Sequence, residues 1–152
     1  MAEIRTAHLF TLTLSVGAPQ PIGAGPAGNR RVVTVAGGRF EGERLRGTVL
    51  EGGSDWLLVR PDETTVLDVR LVLKTHDDAL IGLTYRGFRH GPAEVLERVN
   101  RGDAVDPASY YFRVAMAFET ASPQYEWLNR IIAIGTGRRT SEGPVYEVFE
   151  VL

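Results

Sequence analysis

An all-β chain, closed into a barrel or folded as a sandwich, is what the sequence predicts, and three observations carry this. Many short stretches alternate apolar and polar residues with a period of two. Glycine, proline and aspartate punctuate them at close spacing. Only one sizeable segment, between Pro92 and Gly102, has helical signals at both ends. Closely spaced strands at this length suit a barrel or a sandwich. Closure also removes the open edges that invite aggregation. With 152 residues the chain can bury a real core, so residues 1–152 are expected to form one domain.

Residues 9–16 alternate well: Phe10, Leu12, Leu14 and Val16 share one face, and Thr11, Thr13 and Ser15 the other. Residues 17–28 hold Pro19, Pro21 and Pro26 among glycines and alanines. They offer too little apolar bulk to pack, and a long connection is expected. A short strand at 31–35 is followed by Gly37-Gly38, read as a turn. Strands at 45–50 and 55–60 are separated by Gly52-Gly53, and Pro61-Asp62-Glu63 ends the second. Residues 65–75 form the longest expected strand, with Leu67, Val69, Leu71 and Leu73 on one face and Val66, Asp68, Arg70, Val72 and Lys74 on the other. His76-Asp77-Asp78 predicts a tight turn and 80–88 its hairpin partner. In the helix, Val95, Leu96 and Val99 make a narrow apolar stripe, and Gly102 suits a left-handed cap. A strand at 111–119 follows, then a short helical turn opened by Ser122-Pro123 and reaching Asn129. Strands at 131–136 and 145–151 close the chain, joined by a polar loop at 138–144.

Composition narrows the function. At 43% hydrophobic and 24% charged, with a net charge of -2, the chain reads as an ordinary soluble protein. No basic stripe argues for nucleic acid. There is no cysteine, which removes disulfides, thiolate metal sites and cysteine nucleophiles together. No run approaches a membrane-spanning length, and the N-terminus lacks a signal-peptide core, so a cytoplasmic protein with no membrane partner is expected. His8, His76 and His90 share no ligand spacing, and no phosphate-binding loop, dinucleotide fingerprint or nucleophile elbow is present. Neither metal nor cofactor is therefore expected.

The order of short motifs adds a family resemblance. The chain carries Gly37-Gly38-Arg39-Phe40, Gly52-Gly53-Ser54-Asp55-Trp56, Leu67-Asp68-Val69-Arg70 and Tyr85-Arg86-Gly87-Phe88-Arg89. Then come Tyr110-Tyr111-Phe112-Arg113, Phe118-Glu119-Thr120 and Tyr125-Glu126-Trp127-Leu128-Asn129. This resembles the bacterial uncharacterised protein family three-one-one, also called domain of unknown function three-two-three-seven, over nearly the whole chain. The resemblance implies a closed antiparallel β-barrel of about eight to ten strands with one short helix, similar in outline to calycin and allene-oxide-cyclase barrels. It implies no activity.

Three constellations could carry chemistry. The strand at 111–119 sets Phe112, Val114, Met116 and Phe118 on one face and Tyr111, Arg113, Ala115, Ala117 and Glu119 on the other. The alanines leave room between ionisable groups, as in a strand lining a small polar cavity. A solvent-facing strand with scattered charges would look the same. Arg113 and Glu119 stand about 20 Å apart along the strand, so each would need a partner such as Arg70, Tyr85 or Asn129. Asp55, after two glycines, could act as a base or bond the turn amides, with Trp56 on the opposite face. Asp68 and Arg70 share a face and form either a buried anion-binding pair or a surface pair worth about 0–1 kcal/mol. Trp127, with Tyr125 and Asn129, would close a pocket or plug a barrel end.

From these residues the sequence supports cofactor-independent proton-transfer chemistry of isomerase, cyclase or lyase type on a small, partly apolar carbonyl or hydroxylated compound. Glu119 or Asp55 would be the acid or base, and Arg113 and Arg70 would stabilise anionic charge. Tyr111, Tyr85, Trp56, Trp127 and Asn129 would bind the substrate. The alternatives are a non-catalytic small-ligand barrel and a structural homo-oligomer with a filled lumen. Apolar residues on both faces of 32–35 and 131–134 lead us to expect a homodimer or higher homo-oligomer.

Overall fold

The protein is described by a computed structural model covering residues 2–152. Ten strands form one antiparallel sheet: β1 (Thr6–Val16), β2 (Gln20–Gly25), β3 (Gly28–Glu41), β4 (Arg46–Val49), β5 (Ser54–Val59), β6 (Thr65–Thr75), β7 (Leu80–His90), β8 (Tyr111–Glu119), β9 (Ala133–Arg139) and β10 (Pro144–Val151). The sheet closes because β1 pairs with β10 on one edge and with β3 on the other. β4 and β5 lie end to end between β3 and β6, so eight strand positions make the wall. β2 runs on from β1 along the edge of β3, beyond the wall. The barrel predicted by the family resemblance is therefore the fold observed.

The lumen takes the apolar faces. Leu67, Val69, Leu71 and Leu73 of β6 point inward, and Asp68, Arg70 and Val72 point out. β8 follows the same rule: Phe112, Val114, Met116 and Phe118 are buried in the core, and the alternate residues are exposed. Phe10 packs edge-on against Phe40 and Phe118, filling the lower lumen.

Two expectations at the N-terminal end are corrected. Residues 20–25 are a strand, not part of a loop, because β3 starts at Gly28 and offers them a partner. Proline is tolerated there since β2 is an edge. Gly37-Gly38 is not a turn either, but lies within β3 where β1 crosses it closely. Gly38 has φ +150, and a Cβ there would lie 2.2 Å from the Thr13 carbonyl oxygen. Only glycine fits that approach.

The helix α1 (Ala93–Asn100) ends before Gly102, whose φ of +82 supplies the left-handed cap. The expected helical turn after Ser122 is a 3₁₀ segment, Pro123–Arg130, that lies across one barrel end. Leu128 and Tyr125 are buried in the core, and the Tyr125 hydroxyl donates to Asp77 in the β6–β7 turn at 2.9 Å. Among the described residues no helix is long and apolar enough to cross a membrane.

Candidate functional site

The opposite end of the barrel is open and holds a cavity of about 250 Å³. Leu14 and Val16 of β1, Val33 and Val35 of β3, Leu57 of β5, and Leu67 and Val69 of β6 form an apolar wall. Tyr85, Phe112 and Tyr146 form an aromatic side, with Tyr146 edge-on to both Tyr85 (5.2 Å between centroids) and Phe112 (5.4 Å). The strand β9 makes room for them with glycine: a Cβ on Gly137 would lie 2.7 Å from the Phe112 ring. Gly135-Thr136-Gly137 is thus a packing device.

Into this apolar space project Asp55, Arg31, Arg89 and Arg139. Asp55 sits where the β5–β6 ladder is interrupted between its pairs at Asp55–Val69 and Leu58–Val66. Its carboxylate accepts the Asp68 amide at 3.1 Å, so the side chain bonds a backbone group the ladder leaves free. Burial dominates its titration and pushes its pKa from 3.8 up to about 6, against the opposing pull of the Asp68 amide and of Arg89 and Arg31. A carboxyl in that range can both hold and release a proton near neutrality.

Arg89 is only 6% exposed. The face of Phe112 lies 5.4 Å from its guanidinium carbon, and among the described residues it makes no ion pair. Burial and then the Arg139 charge lower its pKa to about 10, which leaves it cationic at pH 7. Arg31 has a buried Nε with no hydrogen-bond partner. The Tyr85 hydroxyl is likewise buried and unpartnered. Burial first, and the Tyr146 phenol second, drive its pKa upward, so it stays a neutral donor. Burial also raises Tyr146.

Of the residues singled out from the sequence, Asp55 and Tyr85 line this cavity. The others lie elsewhere. Glu119, Arg113 and Tyr111 are on the outer wall of β8, because its apolar face claims the lumen. Arg113 instead donates to the Phe112 carbonyl at 2.9 Å and lies over the Tyr111 ring. Arg70 faces out from β6, and Trp56, 47% exposed, faces out from β5. Trp127 and Asn129 belong to the stoppered end. Arg44 lies over the Trp127 ring at 4.2 Å, and Asn129 bridges the Thr120 amide and carbonyl at 2.8 and 2.9 Å.

Sequence reading missed Arg31, Arg89, Arg139 and Tyr146. A signal was present for each. Arg89 is in phase with Ile81, Leu83 and Tyr85, and Arg31 with Val33 and Val35. Arg139 follows Gly135 and Gly137 in phase, and Tyr146 alternates with Val148.

A closed barrel stoppered at one end, with a charged, apolar-walled cavity at the other, defines a small antiparallel barrel with a lumenal pocket. The chain belongs to the family described as "Protein of unknown function (DUF3237)", which matches residues 4–151. It is 35% identical over 149 residues to the UPF0311 protein RPA1785 of Rhodopseudomonas palustris, covering 98% of this chain and 97% of that one. The crystal structure of RPA1785 superposes with a TM-score of 0.95 over the full length of both chains. A β-barrel-like protein from Acinetobacter baumannii is 37% identical, with a TM-score of 0.87 over 100% of this chain and 98% of that one. An enzyme from Penicillium herquei shares 25% identity and a TM-score of 0.77, covering 100% and 97% of the two chains.

Proposed function

We propose that the cavity binds a small, partly apolar carbonyl or hydroxylated metabolite of the cytoplasm and moves a proton on it without a cofactor. Asp55 is the acid or base. One observation carries this reading: among the cavity-lining side chains, Asp55 alone is a carboxyl, and it faces two neutral phenols and a buried cation across an apolar space. As a carboxylate, Asp55 takes a proton from carbon or oxygen of the ligand. Arg89 then balances the enolate or alkoxide that forms, with Tyr85 and Tyr146 as donors. Return of the proton to a different atom gives isomerisation. Closure or loss of a neighbouring group gives cyclase or lyase chemistry. The enzyme from Penicillium herquei supports the reading by showing the fold in catalytic use.

The test is solvent deuterium exchange. Carbonyl and hydroxylated metabolites are incubated with the protein in deuterium oxide and followed by NMR. We expect wash-in at one position of at least one compound, falling about 10²-fold or more in Asp55→Asn. A compound that binds without wash-in would favour the non-catalytic barrel instead.

We also propose that the protein is a homodimer through the outer face of β9. Ile134 there is 37% exposed and is flanked across the ladder by Ala115 and Phe149, and Ile132, just ahead of the strand, is 63% exposed.

A further inference from the structure

We infer that the cavity is an anion receptor whose ligand arrives as a single-ring organic carboxylate, its charge taken by Arg89 and Arg31 and its body held by the apolar wall. This rests on the reading above for the site, and adds the substrate class. The first ground is the charge balance of the lining. Three guanidinium groups, those of Arg31, Arg89 and Arg139, face one carboxyl, that of Asp55. The second is the state of Arg89. It is 6% exposed and touches a ring face, with no ion pair and no side-chain hydrogen bond among the described residues. Burying a charge without a counterion is costly, and arginine does not escape by losing its proton. The Asp55 charge reaches Arg89 without forming an ion pair and is shared with Arg31, so the guanidinium is only partly balanced. The third is Arg31, whose Nε is buried and unpartnered. Two planar forks with free donors match the two oxygens of a carboxylate.

Size and polarity narrow the class. An apolar cavity of about 150 Å³ admits benzene, and drug-sized ligands occupy about 300–1,000 Å³. At about 250 Å³ this cavity suits one substituted ring. Leu14, Val33, Leu57 and Val69 offer such a ring no polar group, which disfavours inorganic phosphate.

A second consequence follows for protons. The charges of Arg89 and Arg31 pull the Asp55 pKa down, while burial and the Asp68 charge push it up. An anion lying on the two guanidinium groups cancels the downward pull. Tyr85 and Tyr146 stay neutral throughout. Binding near pH 7 is therefore accompanied by proton uptake at Asp55, which then meets the bound anion as the acid of the acid-or-base reading above.

Titration calorimetry tests this with benzoate, phenylacetate and cinnamate, their three amides, and inorganic phosphate. We expect at least one acid to bind tenfold or more tightly than its amide, with phosphate silent. The preference should vanish in Arg89→Met and weaken in Arg31→Met, a variant at the more accessible of the two arginines. The binding heat at pH 7 should vary with the ionisation heat of the buffer, and that variation should disappear in Asp55→Asn while the acid still binds. Failure of all three acids to bind, equal binding of acid and amide, tighter binding of phosphate, or a preference that survives both arginine variants would overturn the inference. Deuterium wash-in without acid preference would sink this inference alone. Acid preference without wash-in would sink the proton-transfer reading alone.

Discussion

Asp55 couples the site to stability. Its carboxyl has a pKa of about 6 in the folded chain against 3.8 as the ordinary value. The folded state therefore holds a proton that the unfolded chain has already released. Its contribution is most favourable below pH 4 and is lost as the pH rises through 6, a change of roughly 3 kcal/mol at most. Asparagine keeps an oxygen for the Asp68 amide and has no charge to bury. Relative to the parent, Asp55→Asn should gain about 1–3 kcal/mol between pH 4 and pH 8, read from paired urea melts. A constant difference across that range would show that Asp55 titrates as an exposed carboxylate. Residue identity in the site was only partly legible. Asp55 stood out after Gly52-Gly53, and Tyr85 lay on a clean apolar face. Arg89 is not legible because local composition ends the strand at Phe88. Arg139 is hidden in the same way beyond a strand expected to end at Thr136. Strand ends at a barrel mouth are set by pairing partners distant in sequence, and local composition does not encode them.

At the scale of elements, β8 is the instructive strand. Its alternation was plain from the residues, but the inward face was not. Two alanines between ionisable groups suit a cavity lining and an outer wall equally. The deciding information lay in β6, whose four leucine and valine positions must be buried and so fix apolar as inward. Applied to β8, that rule turns Arg113 and Glu119 outward. β9 shows the complementary device. Gly135 and Gly137 give up side chains so that Val114 and Phe112 can fill the lumen. Gly137→Val would drive a branched side chain into the Phe112 ring. We expect a loss of about 1–3 kcal/mol in chemical denaturation, together with a shift in the near-ultraviolet signal of the Phe112–Tyr146 pair. An unchanged midpoint would mean that the aromatic side of the cavity yields easily.

At the scale of the whole molecule, closure leaves the outer wall as the surface for assembly. Besides Trp56, Val72 and Phe88 on other strands, the wall exposes Ile134 of β9 beside Phe149 of β10, with Ile132 just ahead of the strand. Sedimentation at micromolar concentration should give a dimer, and Ile132→Glu with Ile134→Glu should give a monomer with an unchanged circular dichroism spectrum. A monomeric parent protein would remove β9 as an interface. The barrel itself was legible through strand spacing and motif order. The hairpin of β2 with β3 was not, because its prolines and glycines carry no periodicity and its pairing is imposed by β3.

The first residue of β1, Thr6, pairs with the last of β10, Val151. Both strand ends lie at the stoppered floor, near Ile132 and the 3₁₀ segment, since the Val151 amide donates to the Ile132 carbonyl. Anything tethered there, whether an affinity tag, a reporter or a solid support, hangs beneath the barrel instead of across its mouth. An attachment at the start of β1 or the end of β10 thus leaves the cavity facing solution.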